Sequence, residues 1–321
     1  MEAAQTIELD GQYRALREEA GFVRREGRGV IAVTGADAAD YLQGQLTNDV
    51  EALAAGSGCY SALLDRKGHM QGDMRVLRTA DGFLIDLEPE ALPAVLRHLE
   101  MYKIGREVEV SDASALWALH SVIGPGAARL TGAPPLGPEG AHSEVSIGGV
   151  SCRAIATDAG LDILSEDDDA ATLEAALAAA GIAAVSPEAA EIVRVEAGRP
   201  RFGREMTTET IPQEAGINER AVSFTKGCYI GQETVARLHY KGKPNRHLRG
   251  LRSAGPLTPG DEIRAGEKVV GTVATAVLSP ALGPLALAIV RREARPGATV
   301  TVGASDTAEV VELPFETAAS D

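Results

Sequence analysis

The segment Phe224–Glu233 holds the densest group of reactive side chains in the sequence. Gly227 and Gly231 flank Cys228 and its two neighbours, so the backbone can bend tightly on both sides of the thiol. Lys226 stands two residues before that thiol, and a nearby ammonium favours the thiolate over the thiol. We therefore expect a loop that presents a sulfur at the start of a helix. The alternative is a small buried thiol on a glycine-rich turn.

A second candidate is Glu196, which the sequence places near the end of a helix that Gly198 terminates. A carboxylate at that end opposes the helix dipole, which costs stability, so a specific partner is expected for it. One candidate partner is the edge of an amino-pyrimidine, which can donate two hydrogen bonds to a carboxylate. The alternative is an ion pair with a neighbouring arginine, the candidates being Arg194, Arg199 and Arg201.

Two further polar features precede these in the chain. Asp73 falls inside a predicted strand, where aspartate is unfavourable, and Gly72 before it permits close approach of another backbone. Asp73 is thus predicted either to face a pocket or to be a charge at a strand edge. The turn that contains Leu46 and Asn48, taken with the aromatic Tyr60, is a weaker indication of a binding site.

Common catalytic motifs are missing from the sequence. It contains no P-loop, no G-x-G-x-x-G after a strand, no G-x-S-x-G and no H-E-x-x-H, which argues against nucleotide hydrolases, Rossmann enzymes, serine hydrolases and zincins. The three cysteines (Cys59, Cys152 and Cys228) are widely spaced, with no C-x-x-C pair. We therefore predict neither a disulfide scaffold nor a recognisable metal or cluster cage.

Charge is distributed unevenly along the 321 residues. The net charge is −15, which argues against a protein that grips duplex DNA. Residues 234–260 nevertheless carry six basic side chains and no acidic one. This basic segment indicates either a local anionic partner or a solvated face that acids elsewhere balance.

The remaining pattern predicts an α+β protein. Residues 57–110 read as three strands, a helix from Pro89 to Met101 and a fourth strand, and short strands with Gly and Pro turns follow Pro244. Between them, residues 199–221 form a long, mostly irregular segment of the kind that is often functional. We expect the last seven residues to fray. The acidic N-terminus and the lack of a long apolar run predict a cytoplasmic protein without a membrane span.

Three segments together resemble a known family. Val33–Val50 and Arg194-Val-Glu-Ala-Gly-Arg-Pro200, followed by the C-terminal strands, resemble the folate-binding fold of the glycine-cleavage T-protein. Within that superfamily, Lys226-Gly-Cys-Tyr-Ile-Gly-Gln-Glu233 is similar to the motif of the YgfZ branch, which includes iron–sulfur assembly factors. The resemblance covers nearly the whole chain.

The resemblance implies an architecture. It is a GcvT-like folate-binding fold, with interlocked α/β subdomains around a central pocket and a C-terminal antiparallel β-barrel domain. We expect residues 1–240 to form the folate-binding region, in which 51–114 make a ferredoxin-like β-β-β-α-β unit, and residues 241–321 to form the barrel domain.

The resemblance also implies site residues. Glu196 matches the glutamate that holds the pterin edge, and Tyr60 matches a pocket tyrosine; Asp73 falls where T-proteins carry an acidic pair, of which one acid is missing here. Cys228 and Lys226 match the YgfZ motif. The other residues expected to contact tetrahydrofolate or a one-carbon derivative of it are Leu46, Asn48, Gln232 and Glu233, with Arg237 and Lys241 near its glutamate tail.

These implications leave several functions open. The first hypothesis is a tetrahydrofolate-binding accessory protein for assembly or repair of iron–sulfur clusters, which indirectly supports tRNA modification by cluster enzymes; its partners would be folate and iron–sulfur proteins or cluster carriers. The second is a folate-dependent aminomethyl- or methyltransferase with Asp73 as the acid or base. Direct RNA binding by the basic segment is a third and weaker hypothesis, since Tyr240 is the only aromatic residue in it.

Overall fold

A computed structural model describes residues 2–315, with side chains from residue 8 onward. Of the last seven residues, which are expected to fray, residues 316–321 lie outside the described range. The helices are α1 (Glu2–Glu18), α2 (Ala38–Gln45), α3 (Leu92–Tyr102), α4 (Ala127–Thr131), α5 (Ala170–Ala179), α6 (Pro187–Glu196), α7 (Pro212–Ala215), α8 (Asn218–Ala221) and α9 (Gln232–Lys241).

Eighteen strands of this range form three sheets. They are β1 (Gly21–Arg24), β2 (Gly29–Thr34), β3 (Gly58–Leu64), β4 (Met70–Arg78), β5 (Gly82–Leu87), β6 (Glu109–Asp112), β7 (Trp117–Ile123), β8 (His142–Ile147), β9 (Val150–Thr157), β10 (Gly160–Glu166), β11 (Ala183–Ala184), β12 (Arg246–Ser253), β13 (Glu262–Ala265), β14 (Lys268–Thr272), β15 (Thr275–Ser279), β16 (Gly283–Arg291), β17 (Thr299–Val302) and β18 (Asp306–Val311).

The first sheet is antiparallel, in the order β3-β4-β5-β2-β6. The three strands, helix and fourth strand expected between residues 51 and 114 are present in that sequence. However, β2 comes from residues before this unit and lies between β5 and β6. The sheet packs against α2, α3 and the segment after α6. Together they form the largest apolar core of the described chain, which includes Tyr41, Phe83 and Met206.

The second sheet has the order β11-β1-β7-β10-β9-β8. All its pairs are antiparallel except β1 with β11. Leu77 of the first sheet shares a buried cluster with Leu119 and Ile155 of the second, so the two sheets pack against each other. Helix α6 follows this sheet and is capped by Ser186, whose Oγ accepts a hydrogen bond from the backbone N–H of Ala189 at 3.2 Å.

The third sheet is antiparallel and contains the strands after residue 245, in the order β14-β13-β17-β18-β12-β16-β15. It curls around its own core of Val, Leu, Ile and Ala side chains. At Gly271 in β14 the carbonyl of Ile289 in β16 approaches so closely that a Cβ atom would lie 2.9 Å from it. The short strands expected after Pro244 are present in this sheet.

None of the helices in residues 2–315 combines the length and the apolar character that a bilayer-spanning helix needs.

Candidate functional site

A cavity of about 680 Å³ opens where the first two sheets meet helices α1 and α6. Its walls combine apolar side chains, including Leu119, Ile123 and Leu161, with paired arginines and carboxylates. Its volume lies within the range of about 300–1,000 Å³ that is typical of small-molecule sites. The cavity is therefore large enough for a cofactor-sized organic ligand.

Asp73 and Tyr60 meet at this cavity from adjacent strands. Side chains alternate along β4, so Gly72 and Met74 are buried toward α3 and its flanking residues, whereas Asp73 and Arg75 line the cavity. The Tyr60 hydroxyl donates to Asp73 Oδ2 at 2.7 Å. Of the two alternatives for Asp73, the pocket-facing one describes its position.

The other carboxylate oxygen of Asp73 is unsatisfied. Oδ1 is buried and has no hydrogen-bond partner among the described residues. Burial raises the pKa of Asp73, while the hydrogen bond from Tyr60 and the charge of Arg28 lower it in part. A buried acceptor without a partner costs about 1–3 kcal/mol. A ligand with an N–H donor facing Oδ1 would remove that cost.

An ion-pair cluster forms the wall beside Asp73. Arg75 donates to Asp86 Oδ2 at 2.7 Å and to Asp162 Oδ2 at 2.8 Å, and Arg28 binds Asp86 on its other side. Burial alone would raise the pKa of Asp86, but the two arginines hold it below its ordinary value. Arg75 Nη2 has no partner within the described chain, so it offers a donor near Asp73.

Glu196 is buried beside the cavity rather than on its wall. Its Oε1 accepts from the Tyr13 hydroxyl at 2.9 Å and from the Ser279 hydroxyl at 2.5 Å, and its Oε2 lies 3.7 Å from Arg17. The carboxylate therefore connects α6 to α1 and to the third sheet. The nearby arginines considered from the sequence bind other acids: Arg194 pairs with Glu191 and Glu205, Arg199 with Asp158, and Arg201 with Glu191.

Leu46 and Asn48 support the site without lining the cavity. Leu46 is completely buried in the core of the first sheet. Asn48 Nδ2 donates to the carbonyls of Tyr60 and Arg220 at 2.8 and 2.9 Å. The guanidinium of Arg220 in turn lies 4.8 Å from the centre of the Tyr60 ring. Asn48 thus fixes the backbone that carries Tyr60.

The segment that opens α9 lies apart from the cavity wall. Cys228 is exposed, as the first interpretation of this segment requires. Gly231 has φ = 83°, and a Cβ atom there would lie 2.5 Å from the carbonyl oxygen of Asp65. Glycine is needed at this position because the turn before β4 packs directly against the start of α9.

Lys226 uses its ammonium to hold this segment in place. Its Nζ donates to the carbonyls of Gln43, Leu46 and Asn48 at 2.6, 2.7 and 2.9 Å. Burial lowers the pKa of Lys226 to about 8, and the charge of Asp49 opposes part of that shift. These bonds use all three N–H groups, so none of them is directed to Cys228; activation of that thiol by Lys226 stays a prediction.

We expect the Lys226→Met variant to be destabilised by about 2 kcal/mol or more, because it leaves three carbonyls without their donor. Chemical denaturation monitored by circular dichroism measures this. The control is Lys241→Met on exposed helix surface, where a change within about 0.5 kcal/mol is expected. Equal stability of the two variants would contradict the structural role of the Lys226 ammonium.

The remaining predicted contacts lie on α9. Gln232 and Glu233 are in its first turn, with Arg237 and Lys241 further along it, and none of the four lines the cavity. Their contact with folate stays a prediction. Elsewhere in the basic segment, Arg246 binds Glu214 and Arg249 binds Glu312. Acids from distant parts of the chain thus balance part of this segment.

Sequence reasoning missed several residues of the site. Arg28 and Arg75 form the cavity wall, and Tyr13 and Ser279 hold Glu196. Arg75 could have been found, because it stands two residues after Asp73 on the same strand face. Tyr13 and Ser279 lie 183 and 83 residues from Glu196, and no local pattern connects them to it.

Comparison with known proteins gives a consistent assignment. Residues 5–226 match the GCVT N-terminal domain family, and residues 246–316 match the glycine cleavage T-protein C-terminal barrel domain. An aminomethyltransferase of Rubrobacter xylanophilus is 29% identical over 96% of this chain and 86% of its own. The tRNA-modifying protein YgfZ of Edwardsiella ictaluri is 31% identical over 71% of this chain and 70% of its own.

A solved structure supports the same fold. The glycine cleavage system aminomethyltransferase T of Bartonella henselae superposes with a TM-score of 0.85 at 23% identity, over 96% of this chain and 90% of its own. The predicted α+β, GcvT-like architecture with a C-terminal antiparallel sheet is thereby confirmed. The chain belongs to the glycine cleavage T-protein family, with the N-terminal domain of that family followed by its C-terminal barrel domain.

Proposed function

We propose that this protein is a tetrahydrofolate-binding accessory protein of the cytoplasm that assists assembly or repair of iron–sulfur clusters and so indirectly supports tRNA modification by cluster enzymes. Two features support this role. Lys226-Gly-Cys-Tyr-Ile-Gly-Gln-Glu233 is similar to the YgfZ motif, and relatives named tRNA-modifying protein YgfZ match most of the chain.

The buried, unpartnered Oδ1 of Asp73 in the cavity carries the folate part of this proposal. The pterin ring of tetrahydrofolate has N–H donors on one edge and an apolar face, and the cavity offers a carboxylate acceptor beside Leu119, Ile123 and Leu161. The residues present therefore fit the cofactor.

Each residue of this wall has a separate task in binding. Asp73 would accept from a ring N–H, and Tyr60 would hold that carboxylate in orientation through its 2.7 Å hydrogen bond. The free Nη2 of Arg75 would donate to a ring or tail oxygen. When bound, tetrahydrofolate supplies a nitrogen that carries a one-carbon unit. The apolar side of the cavity would exclude water from that nitrogen.

Cys228 lies outside this cavity and is exposed. A functional thiol here would face either the reactive edge of folate or a partner protein, and this placement favours the partner. Iron–sulfur proteins or cluster carriers are the partners we propose for it.

We expect folate affinity to depend on Glu196. The Glu196→Gln variant should bind tetrahydrofolate about threefold to tenfold more weakly, because the charge that is lost from Oε2 lies 3.7 Å from Arg17, which lines the cavity. Titration of purified wild type and variant with tetrahydrofolate and its one-carbon derivatives measures the change and identifies the preferred form.

Glutamine keeps an acceptor for Tyr13 and Ser279, whereas Glu196→Ala leaves both hydroxyls unpaired and is expected to lose about 1–3 kcal/mol of stability. Comparison of the two variants separates folding from binding. Unchanged affinity of Glu196→Gln for every folate form would remove Glu196 from the site.

A second candidate function is a folate-dependent one-carbon transferase. The raised pKa of Asp73 favours it, because a carboxyl group shifted toward neutrality is a better general acid or base. It ranks second because Gly72 stands where T-proteins carry the other acid of the pair. Turnover of glycine-type or sarcosine-type donors by the purified protein with tetrahydrofolate would establish it.

A further inference from the structure

A cationic and aromatic surface surrounds α9, outside the cavity. We call it the α9 surface; it consists of the outer side of α9 with residues 242–243 after it, the loop before it from Phe224 and the turn at residues 65–68. The turn contacts the helix through Gly68, which packs against Thr234. A Cβ atom added to Gly68 would lie 2.9 Å from the Cβ atom of Thr234. The three segments thus form one continuous face.

Five exposed cations lie on this surface. Arg66 and Lys67 lie on the turn, Arg237 and Lys241 on the helix, and Lys243 just after it, and all five are exposed. Among the described residues, no acidic side chain is in ion-pair contact with any of them. Two acids lie near them: Glu233 in the first turn of α9, and Asp65, which accepts from the backbone N–H of Lys67 and lies 3.4 Å from His69. Because the net charge of the chain is −15, a group of five cations differs in sign from the charge of the protein as a whole.

Aromatic rings lie beside these cations. Phe224 and His239 stack with their ring centroids 3.7 Å apart and their planes at 16°. Tyr240 meets both rings edge-on and is 67% exposed. From sequence, Tyr240 was the only aromatic residue of the basic segment; the fold brings Phe224 to it and thereby builds an aromatic cluster in which Tyr240 and His239 are exposed.

We propose that the α9 surface binds a single strand of nucleic acid, with phosphates at the cations and a base stacked on Tyr240. Basic grooves that follow the backbone, combined with exposed rings, are the usual means of binding single strands without base readout. The ten residues of α9 span about 15 Å, which matches roughly four nucleotides. An acidic peptide would satisfy the cations but leave Tyr240 unused, and a duplex keeps its bases stacked inside.

Fluorescence anisotropy with a labelled 12-nucleotide RNA of mixed sequence tests this on the full-length protein. With five phosphate contacts, the logarithm of the binding constant should fall with the logarithm of salt concentration at a slope of about −3.5. The Lys67→Ala/Lys243→Ala variant should reduce the slope by about 1.4. Tyr240→Ala should weaken binding about fivefold or more, the effect of one lost stacking contact.

The matched control is Arg14→Ala/Arg204→Ala, which removes two exposed cations outside this surface and should change neither slope nor affinity. DNA of the same sequence should bind about as well as RNA, and a duplex more weakly. No binding of either strand at 50 mM salt, equal weakening by the control pair, an inert Tyr240→Ala, or binding of poly-glutamate without binding of the strand would each overturn the proposal.

Discussion

The Asp73→Asn variant is expected to bind tetrahydrofolate at least tenfold more weakly than the wild-type protein. Asparagine has nearly the same shape but lacks the negative charge that strengthens a hydrogen bond from a ligand N–H to Oδ1. A hydrogen bond to a charged group contributes about 1.5–3 kcal/mol, which corresponds to a factor of roughly ten to one hundred and fifty in affinity. Isothermal titration calorimetry measures this loss.

The same substitution should not destabilise the apo protein. Burial raises the pKa of Asp73 in the folded state, so the folded protein holds this proton more tightly than the unfolded chain does. The resulting stability is present below the ordinary aspartate pKa and is lost as pH rises through the folded value. Asparagine cannot ionise, so at pH 7 the variant should melt at the same temperature as wild type or above it.

A control variant and a turnover assay complete the test of Asp73. Asp81→Asn, on the exposed turn between β4 and β5, removes the same charge outside the cavity and should leave affinity unchanged. If the protein is a transferase, Asp73→Asn should also abolish turnover. Affinity of Asp73→Asn equal to that of wild type would show that the orphaned carboxylate oxygen has no part in ligand binding.

The Cys228→Ala variant is expected to lose its function in cells while the purified protein keeps its fold and its folate affinity. Cys228 is exposed and does not line the cavity, so its removal leaves no void in the core and no gap in the binding wall. Complementation of a strain that lacks the gene, with activities of iron–sulfur enzymes as readout, measures the loss.

Cys59 provides the control for this experiment. It is a half-buried thiol whose pKa burial raises to about 12, so it is a poor nucleophile. Cys59→Ser should therefore complement if it folds. Full complementation by Cys228→Ala would exclude the proposed role of that thiol.

The sequence predicts the individual β-strands and helices of this protein better than it predicts which strands pair with each other in the sheets. Because aspartate is unfavourable inside a strand, Asp73 was predicted either to face a pocket or to be a charge at a strand edge, and it lines the cavity. The insertion of β2 between β5 and β6 was not predictable in the same way, because strand order depends on packing between distant segments. For the same reason, the sequence did not show that the sheet formed by residues 51–114 also contains β2, a strand from outside that range.

The candidate site shows the same division. Tyr60 and Asp73 were proposed separately and prove to share a hydrogen bond. The sequence could not show that Lys226 is directed at three carbonyls of the α2 region, since those acceptors are 178 to 183 residues away. Long-range backbone contacts of this kind leave no trace in composition or spacing.

The central claim is that the cavity beside Asp73 binds tetrahydrofolate. A crystal structure of the protein grown with tetrahydrofolate, at a concentration that titration has shown to be saturating, tests it most directly. We predict electron density for the pterin in the cavity, with a ring nitrogen within hydrogen-bond distance of Asp73 Oδ1. An empty cavity with the ligand bound elsewhere on the protein would contradict the account.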